Sequence, residues 1–235
     1  MAVLKGLFAA LAVVMAVAAL LLVPAGLTAG GTWVWLRAWI AVAAIAIASG
    51  AGSAALAVFR PANFAMRQQG PVASKPQRQP LIDAVGLVAF LVYLVAWTAF
   101  IPLDVFSLRL LPSPSTAASL AGGLACVAGL LITQVAVAQN KFAAPTIHDQ
   151  SADGQMVVDT GLYGLVRHPL YAGNLLFYAG LALWLGSTAA LVGVVGLLLF
   201  TLARIVIEEG YLRANLPAYA DYARRVRGRL IPFVF

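Results

Sequence analysis

The run Arg167-His168-Pro169-Leu170-Tyr171 gathers groups able to bind or orient charge, and it stands where a polar stretch enters an apolar one. Arg204 and the pair Glu208-Glu209 stand where a second apolar stretch ends. Proline at 169 has no N–H to donate, which suits the first turn of a helix. Arg167 and His168 then lie at that helix's N-terminus, beside free N–H groups that favour a carboxylate or another anion. Arg204 and Glu208 are four residues apart on one helix face and could pair, whereas Glu209 points about 100° away. Ionisable groups at the edge of apolar segments are candidates for binding or catalysis. No metal site is expected, because the two His and the single Cys126 show no ligand spacing. Nucleophilic catalysis is not expected either, since no Ser or Cys stands beside a base.

The elements that must position these groups are apolar. Hydrophobic residues fill 63% of 235 positions and charged residues only 10%. A soluble domain carries about a quarter charged residues, so water is not the solvent for most of this surface. Cys126 lies inside an apolar run and reads as a small core residue, with no disulfide framework. A helix needs about 20 apolar residues to cross a bilayer with its backbone satisfied. Runs at 7–23, 33–59, 81–103, 117–138 and 189–207 meet or approach that length. A shorter run at 170–185 joins the last through Gly186-Ser187-Thr188. So short a link allows only a tight helical hairpin, which brings the two polar clusters to one depth on one side. The expected fold is an all-α integral membrane protein of about six transmembrane helices, or five with the short run partly re-entrant. The first run reads as an uncleaved span, being longer than the apolar core of a secretory signal.

Basic residues fix the expected orientation. With six spans, the N-terminus, the loops 60–80 and 139–169, the C-terminal tail and Arg204 hold all the Lys and Arg except Arg37 and Arg109. Both termini are then cytoplasmic, and the Ala-rich style points to a bacterial inner membrane. Loop 60–80 reads as an irregular basic linker lying on anionic headgroups. Loop 139–169 is long enough to be functional. Ser115 or Thr116 is the expected cap of the fourth span. Trp33, Trp35 and Trp39 read as an interfacial belt, and Ala44, Ala48 and Gly52 as small-residue packing between helices. Arg224, Arg225, Arg227 and Arg229 read as positive-inside anchors, and Tyr219 and Tyr222 as interfacial aromatics.

The string Gly161-Leu162-Tyr163-Gly164-Leu165-Val166-Arg167-His168-Pro169-Leu170-Tyr171-Ala172-Gly173 resembles the signature of the isoprenylcysteine carboxyl methyltransferase family. So does the stretch Glu208-Glu209, Leu212, Tyr219, Tyr222, Val226 and Pro232 further on. The likeness covers 155–232 and divides the chain into a four-span region, 1–140, and a methyltransferase-like region, 141–235, with the hairpin and the basic tail. It implies an S-adenosylmethionine pocket lined by Gln155, Met156, Val157, Val158, Tyr163, His168, Pro169, Leu170, Tyr171 and Glu208. It implies catalytic roles for Arg204 and Glu208, and places Arg204 and Arg167 at the acceptor. A His often begins the first segment in that family, where this chain has Gln155; His148 is a further candidate for the cofactor. On this reading His168 and the helix N-terminus hold the cofactor's carboxylate, and Glu208 answers a cationic or hydroxyl part of it. Arg204 holds the anionic group of an acceptor entering from the bilayer. A carboxylate acceptor needs no base, so positioning and a water-poor site carry the reaction.

Other readings stay open at this level. Phospholipid amine methyltransferases share a similar tail, which leaves an amine acceptor in play. NADPH-dependent sterol-type reductases end in a similar Arg-His-Pro-x-Tyr motif but often carry Asn where this chain has Leu170. A non-enzymatic scaffold or transporter subunit would show charged or broken helices near mid-membrane, where the spans hold little beyond Thr98, Thr133 and Gln134. The expected partners are a lipophilic small-molecule or lipidated acceptor and membrane lipids, not nucleic acid.

Overall fold

The structure, a computed structural model, describes residues 2–68, 81–143, 154–232 and 234. His148 and most of the basic linker lie outside the described residues. Those described form helices and no strand. The α-helices are α1 (Ala2–Leu27), α2 (Leu36–Phe59), α3 (Pro61–Gln68), α4 (Leu81–Leu103), α5 (Thr116–Gln139), α6 (Pro169–Leu185), α7 (Thr188–Asn215) and α8 (Tyr219–Arg225). Five of them, α1, α2, α4, α5 and α7, are long and apolar enough to cross a membrane, while α6 is a shorter apolar helix of 17 residues.

Local chemistry sets the ends. Ser115 caps α5 by accepting the Ala118 N–H at 3.2 Å. Gly186, at φ 96°, closes α6 in the left-handed conformation that glycine adopts without penalty. The next residue, Ser187, opens α7 by accepting the Ala190 N–H at 2.9 Å. The hairpin expected from the short link is therefore present, with one C-cap and one N-cap making the whole turn.

Helices α1, α2, α5, α6, α7 and α4 pack in that order into a closed ring, α4 returning to α1. The tightest seam joins α5 to α6. A Cβ on Gly129 would lie 2.5 Å from the Phe177 nitrogen and 2.6 Å from the Gly173 carbonyl oxygen. A Cβ on Gly180 would lie 2.4 Å from the Cys126 nitrogen and 2.6 Å from the Gly122 oxygen. Paired glycines thus let the two backbones touch, which is how helices associate where lipid removes the hydrophobic incentive. Against α2, Gln134 donates to the Ala48 carbonyl at 2.8 Å, beside Gly52, where small-residue packing was expected.

The hairpin turn is fastened at the far end of the bundle. Helix α4 runs on into a π-helical segment, Asp104–Leu108. Buried Asp104 accepts from the Ser187 hydroxyl at 2.6 Å and from the Leu110 N–H at 2.9 Å. Arg37 donates to the Trp184 carbonyl at 3.2 Å and lies over that indole ring, whose Nε1 donates back to the Arg37 carbonyl at 2.8 Å.

Several expectations about the elements need correction. Trp33 and Trp35 precede α2 rather than begin it, and Trp35 is buried edge-on against Phe106 instead of lying in a belt. The start of the linker is a helix, α3, pinned by Asn63 donating to the Ala138 carbonyl at 3.0 Å. Helix α7 continues eight residues beyond the apolar run that ends at Ile207, because Glu208, Glu209 and Arg213 are helix formers with partners of their own.

The α5–α6 seam predicts a sharp contrast between glycines. Gly129→Ala should lower the thermal midpoint and broaden the size-exclusion profile of the detergent-solubilised protein. Gly50→Ala, with nothing within 4 Å of its new Cβ, should leave both unchanged or raise the midpoint slightly; equal effects would refute backbone contact as the basis of the seam.

Candidate active site

The site is built on the open end of the α6–α7 hairpin. Glu209, only 1% exposed, sits at its centre. One of its oxygens, Oε1, accepts from Arg167 Nε at 2.7 Å and lies 3.3 Å from His168 Nε2. The other, Oε2, accepts from Arg213 Nη2 at 3.0 Å and from Arg229 Nη2 at 3.3 Å. Arg167 also gives Nη1 to the carbonyls of Val226, at 2.7 Å, and Arg227, at 2.8 Å. The backbone N–H groups of Arg167 and His168 donate to the carbonyls of Gly228 and Arg229, both at 2.9 Å. One carboxylate thereby ties the start of α6, the end of α7 and the tail into a single body. Three guanidiniums around one carboxylate leave the region strongly cationic.

Glu208 turns the other way, as helical spacing dictates. It accepts from the Tyr171 hydroxyl at 2.6 Å, and Arg204 Nε donates to that same hydroxyl at 2.9 Å. Tyr171 therefore bridges Arg204 and Glu208 across the hairpin. His168 stacks on Tyr171, with centroids 5.5 Å apart and planes 16° apart.

These groups face a cavity of about 520 Å³. Gln155, Met156, Val157, Val158, Tyr163, Arg167, His168, Leu170, Tyr171, Arg204 and Glu208 all line it. Pro169 does not, because it is fully buried at the first position of α6 and shapes the wall from behind. Arg167 lines the cavity, yet Nε and Nη1 are already held by Glu209 and the tail.

Much of the wall was not foreseen. Helices α4 and α6 both pack on α7 but not closely on each other, and the space between them forms an apolar limb of the cavity. Gly86, Leu87, Phe90, Leu91 and Leu94 of α4 supply one side of it. Asn174 and Tyr178 of α6 supply the other, and Phe200 and Thr201 of α7 lie between. Tyr178 packs edge-on against Trp97, with ring centroids 5.8 Å apart.

Tyr219 and Tyr222 are not interfacial; they are 4% and 2% exposed, packed edge-to-face on each other, and on the cavity wall. Tyr222 donates to the Tyr163 carbonyl at 2.8 Å, fixing the Gly161–Gly164 turn. The Tyr219 hydroxyl is buried without a partner among the described residues. Burial pushes both phenols well above their ordinary range, and the Glu209 charge adds to this at Tyr219. Of the expected anchors, Arg229 reaches Glu209, Arg225 pairs with Asp159 at 2.8 Å, and Arg224 pairs with Asp221.

Residues 117–218 match the phospholipid methyltransferase family. No curated protein matches the chain. The matched segment runs from the start of α5 to the residue before α8, so it contains the glycine seam, the hairpin and both glutamates. The five apolar helices indicate an integral membrane protein, and the matched segment is similar to membrane methyltransferases of the kind that uses S-adenosylmethionine. The matched segment omits α4, so one wall of the apolar limb lies outside it.

The neighbouring glutamates should separate fold from function. Glu209→Gln leaves Arg167 buried without its counter-charge, a loss of about 3–5 kcal/mol for broken buried pairs, and should lower the thermal midpoint markedly. Glu208→Gln, replacing a half-buried group at the cavity edge, should leave the midpoint within the scatter of wild type. Equal midpoints for the two variants would remove Glu209 from its central place.

Proposed function

We propose that this chain transfers a methyl group from S-adenosylmethionine to a lipophilic acceptor that carries an anionic group. The observation behind the reading is the junction inside one cavity. Its polar end has a cationic surround, aromatic walls and a carboxylate, and its other limb is apolar and bounded by α4.

The polar end suits the cofactor. A cavity of about 520 Å³ falls within the range of about 300–1,000 Å³ usual for small-molecule sites. The unpartnered Tyr219 hydroxyl is a buried polar atom that a ligand would satisfy. Bound S-adenosylmethionine supplies an electrophilic methyl group. The first-turn N–H groups of Leu170 and Tyr171, which helix geometry leaves without an intrahelical partner, and the excess of guanidinium favour its carboxylate. His168 Nε2 is turned to Glu209, so His168 acts mainly by stacking on Tyr171 and fixing that ring. The rings of Tyr163, Tyr171 and Tyr219 stabilise a sulfonium by cation–π attraction. Glu208, oriented by Tyr171, takes a cationic or hydroxyl part of the cofactor.

Arg204 holds the acceptor's anion at the point where the apolar limb begins, and the lipid tail lies between α4 and α6. Leu91, half exposed on α4 and also on the cavity wall, marks the side from which a lipid enters from the bilayer. If the anion is a carboxylate, it is itself the acceptor and no base is needed, in keeping with the isoprenylcysteine-type signature. If the anion is a phosphate, the acceptor is an amine beside it and Glu208 takes its proton, in keeping with the phospholipid methyltransferase match. In both cases Arg204 positions the acceptor, and the mostly apolar lining of the cavity keeps its surroundings poor in water. With six spans, the site and both termini face the cytoplasm.

Detergent-solubilised protein titrated with S-adenosylhomocysteine and, separately, NADPH tests the reading. S-adenosylhomocysteine should bind in the micromolar range, at least about tenfold more weakly to Glu208→Ala, where a charged hydrogen bond is lost, and about two- to tenfold more weakly to Tyr219→Phe, where a neutral one is lost. Arg204→Ala should retain cofactor binding and lose methyl transfer to carboxyl and amine lipids alike. Binding of NADPH but not S-adenosylhomocysteine would instead make the chain a reductase.

A further inference from the structure

In the apolar limb, one face of α6 carries three cavity residues, Tyr171, Asn174 and Tyr178. The spacing of three and four residues stacks them in a stripe, reaching about 5 Å and about 10 Å beyond Tyr171 along the helix. Asn174 is oriented by its Oδ1, which accepts from the Thr133 hydroxyl at 3.1 Å. Its Nδ2 has no partner among the described residues. Tyr178 is held by Trp97 and Phe177, with ring centroids 5.8 and 5.4 Å away. Its hydroxyl also has no partner among the described residues.

These two groups differ from the other polar side chains of the same layer. Tyr93 gives its hydroxyl to the Gly193 carbonyl and Trp97 gives Nε1 to the Ala190 carbonyl, both at 2.8 Å. Thr98 and Thr201 each donate back to their own helix at 2.8 Å. The bundle thus satisfies its polar atoms here and leaves Nδ2 of Asn174 and the Tyr178 hydroxyl on the cavity wall. Polar groups without partners in an apolar site are unfavourable unless the occupant bonds to them. Nδ2 can only donate and a phenol donates readily, so the complementary group is an acceptor with lone pairs to spare, which a carbonyl oxygen provides.

Building on the acceptor reading above, we propose that Asn174 and Tyr178 are specificity-determining residues that recognise an ester or amide carbonyl in the lipid acceptor. The carbonyl lies between the anion held by Arg204 and the hydrocarbon tail. A tail that is pure hydrocarbon from the headgroup onward leaves both groups unsatisfied and is discriminated against.

Two probe pairs test this by native mass spectrometry of the full chain in detergent. One is dioleoyl phosphatidylethanolamine against its diether analogue. The other is N-acetyl-S-farnesylcysteine against S-farnesyl-3-mercaptopropionate, which lacks the acetamide. Wild type should retain the carbonyl-bearing member of at least one pair about tenfold better, a preference of the size expected for one or two hydrogen bonds. Tyr178→Phe, which keeps the ring packing, and Asn174→Leu should each reduce that ratio toward one, with S-adenosylhomocysteine affinity unchanged. No preference in wild type, or a preference that survives both substitutions, would overturn the proposal. Failure of S-adenosylhomocysteine to bind while the carbonyl preference persists would strike the methyltransferase reading and leave this one standing.

Discussion

Everything at the polar end of this molecule hangs on a single buried carboxylate. Glu209 is withdrawn from water in a chain with little else that is charged, and a buried ion is tolerated only when its oxygens are fully engaged. Its partners come from segments far apart in sequence: Arg167 and His168 before α6, Arg213 on α7 and Arg229 in the tail. The requirement to neutralise one oxygen pair therefore closes the end of the hairpin and carries the tail over it. Arg167 extends the effect by gripping the carbonyls of Val226 and Arg227, which otherwise have no helix to satisfy them.

With Glu209 committed to structure, its neighbour is left facing the cavity. A helix turns about 100° per residue, so Glu208 faces the cavity when Glu209 faces the core. Tyr171 then acts as a spacer, receiving from Arg204 and donating to Glu208, and it fixes a cation and an anion on one wall. The far end supports this arrangement from a distance. Asp104 holds Ser187 in the hairpin turn, and the glycine pairs of α5 and α6 set how close the hairpin lies to the rest of the ring. The register between Tyr171 and Glu208 depends on all three fastenings.

The hairpin was legible in the sequence because a link of Gly186, Ser187 and Thr188 leaves the chain no other course. The convergence of the Arg167-to-Tyr171 run with Arg204 and Glu208 followed from that alone. What could not be read has a common physical cause. In water, the apolar face of a helix marks the core; in a bilayer, lipid and core are equally apolar, and that signal vanishes. Leu87, Phe90 and Leu94 of α4 carry no mark that separates a cavity wall from a lipid-facing surface. Tyr219, Tyr222 and Trp35 were read as interfacial because an aromatic with a polar tip suits an interface and a buried hydrogen-bonded site equally well. Asp104 lies just past an apolar run, where nothing in the sequence names the partner that an acid in that position needs as much as Glu209 does.

The same loss of contrast gives the polar atoms inside the bundle unusual weight as signals. Where apolar packing does not distinguish one surface from another, a hydroxyl or carboxamide still must find a partner, and each one found or missing is informative. Tyr93, Trp97, Thr98 and Thr201 are answered by backbone carbonyls within the bundle, so their places are settled by the fold alone. Asn174 is answered on one side only, by Thr133, and Tyr178 and Tyr219 line the same cavity with hydroxyls that find no partner among the described residues. The fold accounts for the first group and not for the second. A ligand that spans the cavity, polar at the Tyr219 end and carrying an acceptor atom part-way into the limb, accounts for all three together.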